Sequence, residues 1–355
     1  MDIRVKEKTL RAYMERVFEK EGFMPEQARA IADVLMQADL FGIESHGAQR
    51  MMYYHRNIRS GSVDVSAKPE VLRETPVSAL IDGRFAMGAL VGVFAMNKAI
   101  EKAKQTGVGM VAVRNSSHYG IAGYYTLMAA REGLASVSMT NTGPIMVPTF
   151  GREMMLGTNP LAFCMPAEPY PFWFDASTTV VTLGKVEVHD KRRKPMPAGW
   201  TIDAQGQPCS DATAMNASIL AGEKGGILPL GGLGEETGGH KGYGLGVMVE
   251  ALTGVLAQGM TSPEMCGAHG DHTCHFFMAF DPAMFGDAQE IRARMSTYLQ
   301  RLRDSEKIPG CARIYTAGEK AFEAMAERLE AGIPVEEKTL CELRAIAQEL
   351  GVEAI

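Results

Sequence analysis

Residues 99 to 116 read AIEKAKQTGVGMVAVRNS, and the order of textures in this stretch limits the possible folds more than any other feature of the chain. GVGMVA has the G-x-G-x-x-G/A spacing that cradles a dinucleotide pyrophosphate, but that fingerprint needs a strand before the glycines and a helix after them. Here a charged helical pattern comes first, a glycine stops it, and a β-branched run follows. A nucleotide loop at the first turn of a doubly wound parallel sheet is therefore not expected.

The rest of the chain sorts into two textures. Leu10, Tyr13, Met14, Val17 and Phe18 recur at helical spacing, and Ile31, Val34, Leu35 and Ala38 repeat the pattern in a second helix ending near Gly42, so the first 60 residues read as helical. From about Val77 strands dominate: LASVSMTN, PLAFCMPA, FWFDAST and CHFFMAFD are apolar runs set between Gly, Pro and Asn clusters. Helical texture returns after about Ser305 in EKAFEAMAERLEAG and TLCELRAIAQELG. At 355 residues, with 46% hydrophobic side chains, the chain can support two cores. The layout expected is α/β of the α+β type. Residues 1–76 and 305–355 form a helical domain built from both chain ends, and 77–304 form the central domain.

Several function classes fall away. The formal net charge is -6 with scattered Lys and Arg, which supplies no basic stripe for nucleic acid. The longest apolar run, GLGVMVEALTGVLAQG, is broken by Glu250 and too short for a bilayer, and the N-terminus has no signal-peptide core, so no membrane association and a cytoplasmic location are expected. Six irregularly spaced cysteines read as thiols. GLGEETGGHKGYG admits no Walker A register. The densest ligand cluster is CGAHGDHTCHFF, with Cys266, His269, His272, Cys274 and His275, and it is the basis of a metal-dependent hydrolase as the remote alternative. Against zinc, Cys274 and His275 open an apolar strand on which neighbours face opposite ways, so no metal is expected.

Two Ser-His pairs carry the chemistry. In NSSHYGIAGYY, Ser117 is placed to cap a helix running to Gly133, with His118 in its first turn; in GIESHGAQRMMYY, Ser45 and His46 repeat the arrangement and Arg50 follows one turn later. A histidine at a helix start has its pKa lowered toward the working range of a base or acid. Arg50 can grip a carboxylate in two places while a histidine takes the proton of an adjacent hydroxyl. The plainer alternative is that both histidines are polar helix-start residues with ordinary hydrogen bonds.

The blocks ESHGAQR, RNSSHYGIAGYY, MTNTGPIMVPT, LGTNPLAF, FDASTTVV and GGHKGYGLGVMVEALTGVLAQG resemble the malate/L-lactate dehydrogenase family, which is distinct from the Rossmann dehydrogenases and includes sulfolactate, ureidoglycolate and diketogulonate oxidoreductases. The resemblance runs from about residue 10 to the C-terminus, and GKVEVHDKRRKPMPAGW and CHFFMAFD are most similar to archaeal-type malate dehydrogenases. It implies a non-Rossmann cofactor domain with a mostly antiparallel sheet, NAD or NADP as cofactor, and a homodimer with its active site at or near the subunit interface. The reaction implied interconverts a 2-hydroxy acid and a 2-oxo acid, malate and oxaloacetate first, with sulfolactate, lactate, ureidoglycolate or a cyclic imino acid as alternatives. By the same resemblance His46 and His118 are the two proton-transfer candidates, relatives using one or the other, and Arg50 is the carboxylate clamp; the glycine-flanked setting of His118 ahead of TNTGP favours it as the base, with His46 its partner at the substrate oxygen. Thr142, Asp175, Ala176, Ser177, Thr178, His240 and Lys241 match cofactor positions, as do Gly318, Glu319 and Lys320, where AGEK replaces the usual Pro-Gly-Glu. Phe150 stands where relatives commonly have glycine.

Overall fold

The computed structural model describes residues 3–266 and 272–355. Strand β1 (Ile3–Val5) leads into helices α1 (Glu7–Lys20), α2 (Pro25–Leu40) and α3 (Met51–Arg59). The central region follows as β2 (Glu70–Glu74), β3 (Ser78–Asp82), α4 (Gly88–Thr106), β4 (Val108–Ser116), α5 (Ala122–Arg131), β5 (Ala135–Thr140), β6 (Leu161–Met165) and β7 (Phe172–Ala176). Next come α6 (Leu183–Lys191), β8 (Thr201–Ile202), β9 (Pro208–Cys209), α7 (Ala212–Leu220), β10 (Gly226–Ile227) and α8 (Gly239–Glu250), which continues into a π-helical turn at Ala251–Val255. The chain closes with β11 (Thr273–Phe280), α9 (Ala288–Asp304), α10 (Glu319–Ala331), β12 (Ile333–Val335) and α11 (Glu337–Leu350).

Seven strands form one sheet in the order β2-β3-β4-β11-β5-β6-β7, in which only the β3–β4 pairing is parallel. The sheet is thus mostly antiparallel, as the resemblance implied, and agrees with the failed dinucleotide fingerprint. The glycine of that fingerprint ends α4: Gly107 sits at φ 89°, the left-handed geometry of a helix C-cap, and β4 leaves from it. Strand β11 arrives last in sequence yet lies between β4 and β5. Helix α4 packs on one of its faces and the π-turn on the other, so Cys274, His275, Phe276 and Phe277 are all buried. One hydrophobic core joins Leu35, Val91, Val113, Tyr125, Phe277 and Leu343, tying both chain ends to the sheet.

The structure departs from the sequence reading in four places. β1 lies in a stretch read as helical and pairs antiparallel with β12, holding the chain ends together. β2 precedes the change of texture at Val77 but belongs to the sheet edge, and α9 precedes Ser305 but is helical. Residues 178–230 build a small lobe around Val181, Val186, Met215, Ile219 and Ile227, with its own three-stranded sheet of β10, β8 and β9. Strands of two residues carry no readable alternation, and the charged α6 hides its single buried Val186. Phe150 adopts φ 67° with its ring exposed, the left-handed backbone that explains a glycine elsewhere at this position. Among the described residues no helix is long and apolar enough to cross a membrane.

Candidate active site

His46 and His118 meet, but not at helix starts. Helix α5 begins at Ala122 with Ile121 as N-cap, leaving His118 in the non-helical link after β4. The Ser117 hydroxyl instead accepts the Gly88 N–H at 2.8 Å, capping α4, and donates to the Ala86 carbonyl at 3.3 Å. A tertiary partner won the hydroxyl that local spacing assigned to α5. His46 ends a 3-10 turn (Glu44–His46), a second turn (Ala48–Arg50) follows, and α3 starts only at Met51. The Ser45 hydroxyl bonds His46 Nδ1 at 2.8 Å. These turns fold tightly because Gly47 lies against Asp39: a Cβ there would come within 1.9 Å of Asp39 Oδ1, and Asp39 Oδ2 accepts the Ala48 N–H at 2.8 Å. The two imidazoles end up stacked, 5.5 Å between ring centroids and 30° between planes.

The electrostatics follow from burial and one cation. Desolvation, then the Arg50 charge, lower the pKa of His46 to about 4. His118 is pushed well below its ordinary 6.5 by burial, and further by His46, Arg50 and His275. Both rings are neutral at pH 7, for desolvation and Arg50 rather than for a helix dipole. Burial raises Asp39 to about 7. Arg50 donates from Nε to the Ser45 carbonyl at 2.6 Å and borders a cavity of about 560 Å³ against α6, where Ser45, Thr182, Lys185, Lys191 and Arg192 also line the wall.

The cofactor candidates fall into three groups. Thr142 Oγ1 accepts the Thr158 N–H at 3.0 Å, and Thr178 Oγ1 donates to the Thr158 carbonyl at 3.1 Å, so both flank one residue of the LGTNPLAF block. Ser177 bonds Thr179 beside them. Asp175, next to the β7 end at Ala176, accepts the Gly123 N–H at 2.7 Å in the first turn of α5, and burial raises its pKa to about 6. Gly318, at φ 98°, backs onto Trp173. Glu319 is buried, its carboxylate held by Arg303, by Arg313 at 3.0 Å and by Thr316 at 2.9 Å at the start of α10. Lys320 Nζ lies 4.5 Å from the Tyr315 ring centroid. His240 and Lys241 are exposed in the first turn of α8, whose N-cap is Gly238 with no side-chain cap. That helix start, with amide N–H groups and a lysine, fits a phosphate group.

Among the described residues the zinc-like cluster is not brought together. Both ring nitrogens of His275 are spent, Nδ1 with Thr140 Oγ1 and Nε2 with Ser116 Oγ, each at 2.8 Å, and the ring stacks on Tyr119. Cys274 is buried with its thiol pushed up to about 12, while Cys266 is exposed. His269 lies outside the described residues. Among the described residues no three His, Cys, Asp or Glu side chains could share a metal ion. What sequence reasoning missed is a polar knot. The buried Glu250, seen only as an interruption of an apolar run, accepts from Asn141, Asn159 and Ser262, residues that hold the loops after β5 and before β6. Only the odd placement of an acid in GLGVMVEALTG signalled it.

Comparison with known proteins identifies the family and the fold. Residues 5–344 match the family model described as malate/L-lactate dehydrogenase. A malate dehydrogenase of Pyrococcus abyssi is 44% identical over 99% of this chain and 96% of its own length. An L-sulfolactate dehydrogenase of Methanocaldococcus jannaschii is 34% identical over 95% of this chain and 94% of its own. The solved structure of a malate dehydrogenase from Pyrococcus horikoshii superposes with a TM-score of 0.90 at 43% identity, covering 100% of this chain and 97% of that one.

Proposed function

The chain belongs to the malate/L-lactate dehydrogenase family, and from that premise we propose that it reduces oxaloacetate and oxidises malate with a nicotinamide dinucleotide. The observation that carries this reading is the stacked pair of neutral histidines, His46 and His118, with Arg50 next to them in the chain lining a cavity that Lys185 and Lys191 also edge. Arg50 binds the carboxylate next to the reacting carbon, through two parallel N–H donors. His118 exchanges a proton with the 2-oxygen, and His46, stacked against it, contacts the same oxygen. Lys185 and Lys191 of α6, on a wall they share with Glu187 and Glu336, are the groups that could meet a second anionic substituent, a carboxylate or a sulfonate.

A bound nicotinamide supplies the hydride. Lys241 and the open start of α8 would hold a cofactor phosphate, and Thr142, Ser177 and Thr178 line the segment that approaches it. Asp175, Ala176 and Gly318 would border the same group around Trp173. Leu245, Val247 and Met248 on α8 and Val255 and Leu256 after it are exposed, which supports a homodimer joined through this face.

The test is steady-state reduction of a panel of 2-oxo acids with NADH and NADPH in parallel, with fluorescence titration of each cofactor into metal-free protein. Oxaloacetate is expected to give the highest kcat/KM, and absence of binding by both cofactors would sink the assignment. Arg50→Lys is expected to raise the oxaloacetate KM and lower turnover, since an ammonium cannot make the forked contact. Unchanged values for both would remove Arg50 from the carboxylate site.

A further inference from the structure

Tyr54 of α3 is buried, and its hydroxyl lies 2.7 Å from His118 Nδ1. The Gly120 backbone N–H also points at Nδ1, at 3.3 Å. An amide N–H can only donate, so Nδ1 carries the lone pair, the tyrosine hydroxyl donates to it, and the proton of the neutral ring sits on Nε2. We infer that Tyr54 is a positioning residue that holds His118 in its Nε2–H form and backs its proton transfer. The reaction half of this inference rests on the function proposed above.

The step balances as follows. As hydride reaches the carbonyl carbon of the oxo acid, the C=O electron pair moves to oxygen, which takes the Nε2 proton. The Tyr54 hydroxyl proton passes to Nδ1, so the ring stays neutral; after product leaves, the Nδ1 proton returns to the phenolate and Nε2 takes a proton from water, which restores the Nε2–H ring. The alternative donor is an imidazolium, which is scarce near neutral pH because burial, His46, Arg50 and His275 all disfavour it. A catalytic histidine held in the wrong tautomer loses most of its worth.

Two measurements decide it. Long-range ¹H–¹⁵N spectra of the resting protein, with His118 assigned through His118→Gln, are expected to show an Nε2–H ring; an Nδ1–H ring would overturn the inference whatever the substrate proves to be. The second is kcat/KM for oxaloacetate reduction from pH 5 to 8. With a neutral donor the wild-type profile is nearly flat, whereas an imidazolium donor makes it climb about tenfold for each unit that pH falls. Tyr54→Phe, lacking the relay, is expected to lose about 10- to 100-fold at pH 7 and to acquire that slope, with dinucleotide affinity unchanged. Among the described residues, His46, Arg50, Tyr53, Tyr54 and His275 face His118. Burial pushes Asp39, behind the Ala48 turn, up to about 7, and its protonation is expected to add one bounded step to both profiles, not a climb of tenfold per unit. A wild-type profile that climbs as pH falls, or a variant indistinguishable from wild type, overturns the relay. If Tyr54→Phe does not fold, the wild-type slope and the ring spectrum still decide.

Discussion

His118→Ala is expected to lower turnover of oxaloacetate by roughly 10²- to 10⁴-fold, the usual worth of positioned proton transfer, while leaving dinucleotide binding nearly intact. The expectation follows from how His118 is held. Its ring is fixed from three sides, by the Tyr54 hydroxyl, the Gly120 amide and the stacked His46 ring, so little reorganisation is needed when a proton moves. The residues proposed for the cofactor belong to β7, α8, the loops around Thr158 and the turn at Gly318, and none of them bonds the His118 ring in the contacts that hold it. His46→Ala provides the contrast. His46 reaches its neighbours through the Ser45 hydroxyl and the His118 stack, so its loss is expected to fall more on the Michaelis constant than on turnover. Equal losses in turnover from both variants would mean that the two rings act as one unit. Near-normal turnover in both would end histidine catalysis here.

The sheet was legible because its strands are apolar runs bounded by strong breakers. LASVSMTN, PLAFCMPA, FWFDAST and CHFFMAFD all became strands, and Gly107 marked the end of α4 as its position implied. The site was legible in its membership more than in its geometry. His46, Arg50 and His118 come together, yet neither serine caps the helix that spacing assigned to it. Ser117 is drawn to Gly88, 29 residues earlier, and that pairing leaves no local trace. Tyr54 was hidden for a related reason: MMYY reads as helix interior, and nothing in one sequence says which tyrosine hydroxyl turns toward a histidine 64 residues away. Glu319 was assigned by position alone, and the arginines that hold it come from α9 and the segment after it. In each case a contact distant in sequence outweighed a local preference, and such contacts cluster where the chain does chemistry.

Glu250→Ala is expected to cost about 3–5 kcal/mol of folding stability, because it strands four buried neutral donors and relaxation recovers only part of that loss. Its Oε1 accepts from Asn141 Nδ2 and the Ser262 N–H, and its Oε2 from Asn159 Nδ2 and the Ser262 hydroxyl, at 2.8 to 2.9 Å. Alanine would leave these donors facing a cavity too closed for easy rehydration, each unmade bond costing about 1–3 kcal/mol before relaxation. The damage would not stay local. By drawing both amide NH₂ groups, Glu250 turns the amide oxygens outward, where Asn141 Oδ1 accepts the Cys274 N–H at 2.8 Å and Asn159 Oδ1 accepts the Thr142 N–H at 3.3 Å. One carboxylate thus sets the β5 end, the start of β11 and the loop carrying Thr142. Glu250→Gln keeps the volume but brings an NH₂ against donors, so it is expected to fall between wild type and alanine. Urea midpoints at unchanged slope measure the stability, and cofactor titration of the folded fraction measures the coupling. An alanine variant that unfolds at the wild-type midpoint would show the knot to be decorative. One that loses stability but binds dinucleotide as tightly as wild type would show that Thr142 is held by its own strand end and that the carboxylate serves the core alone.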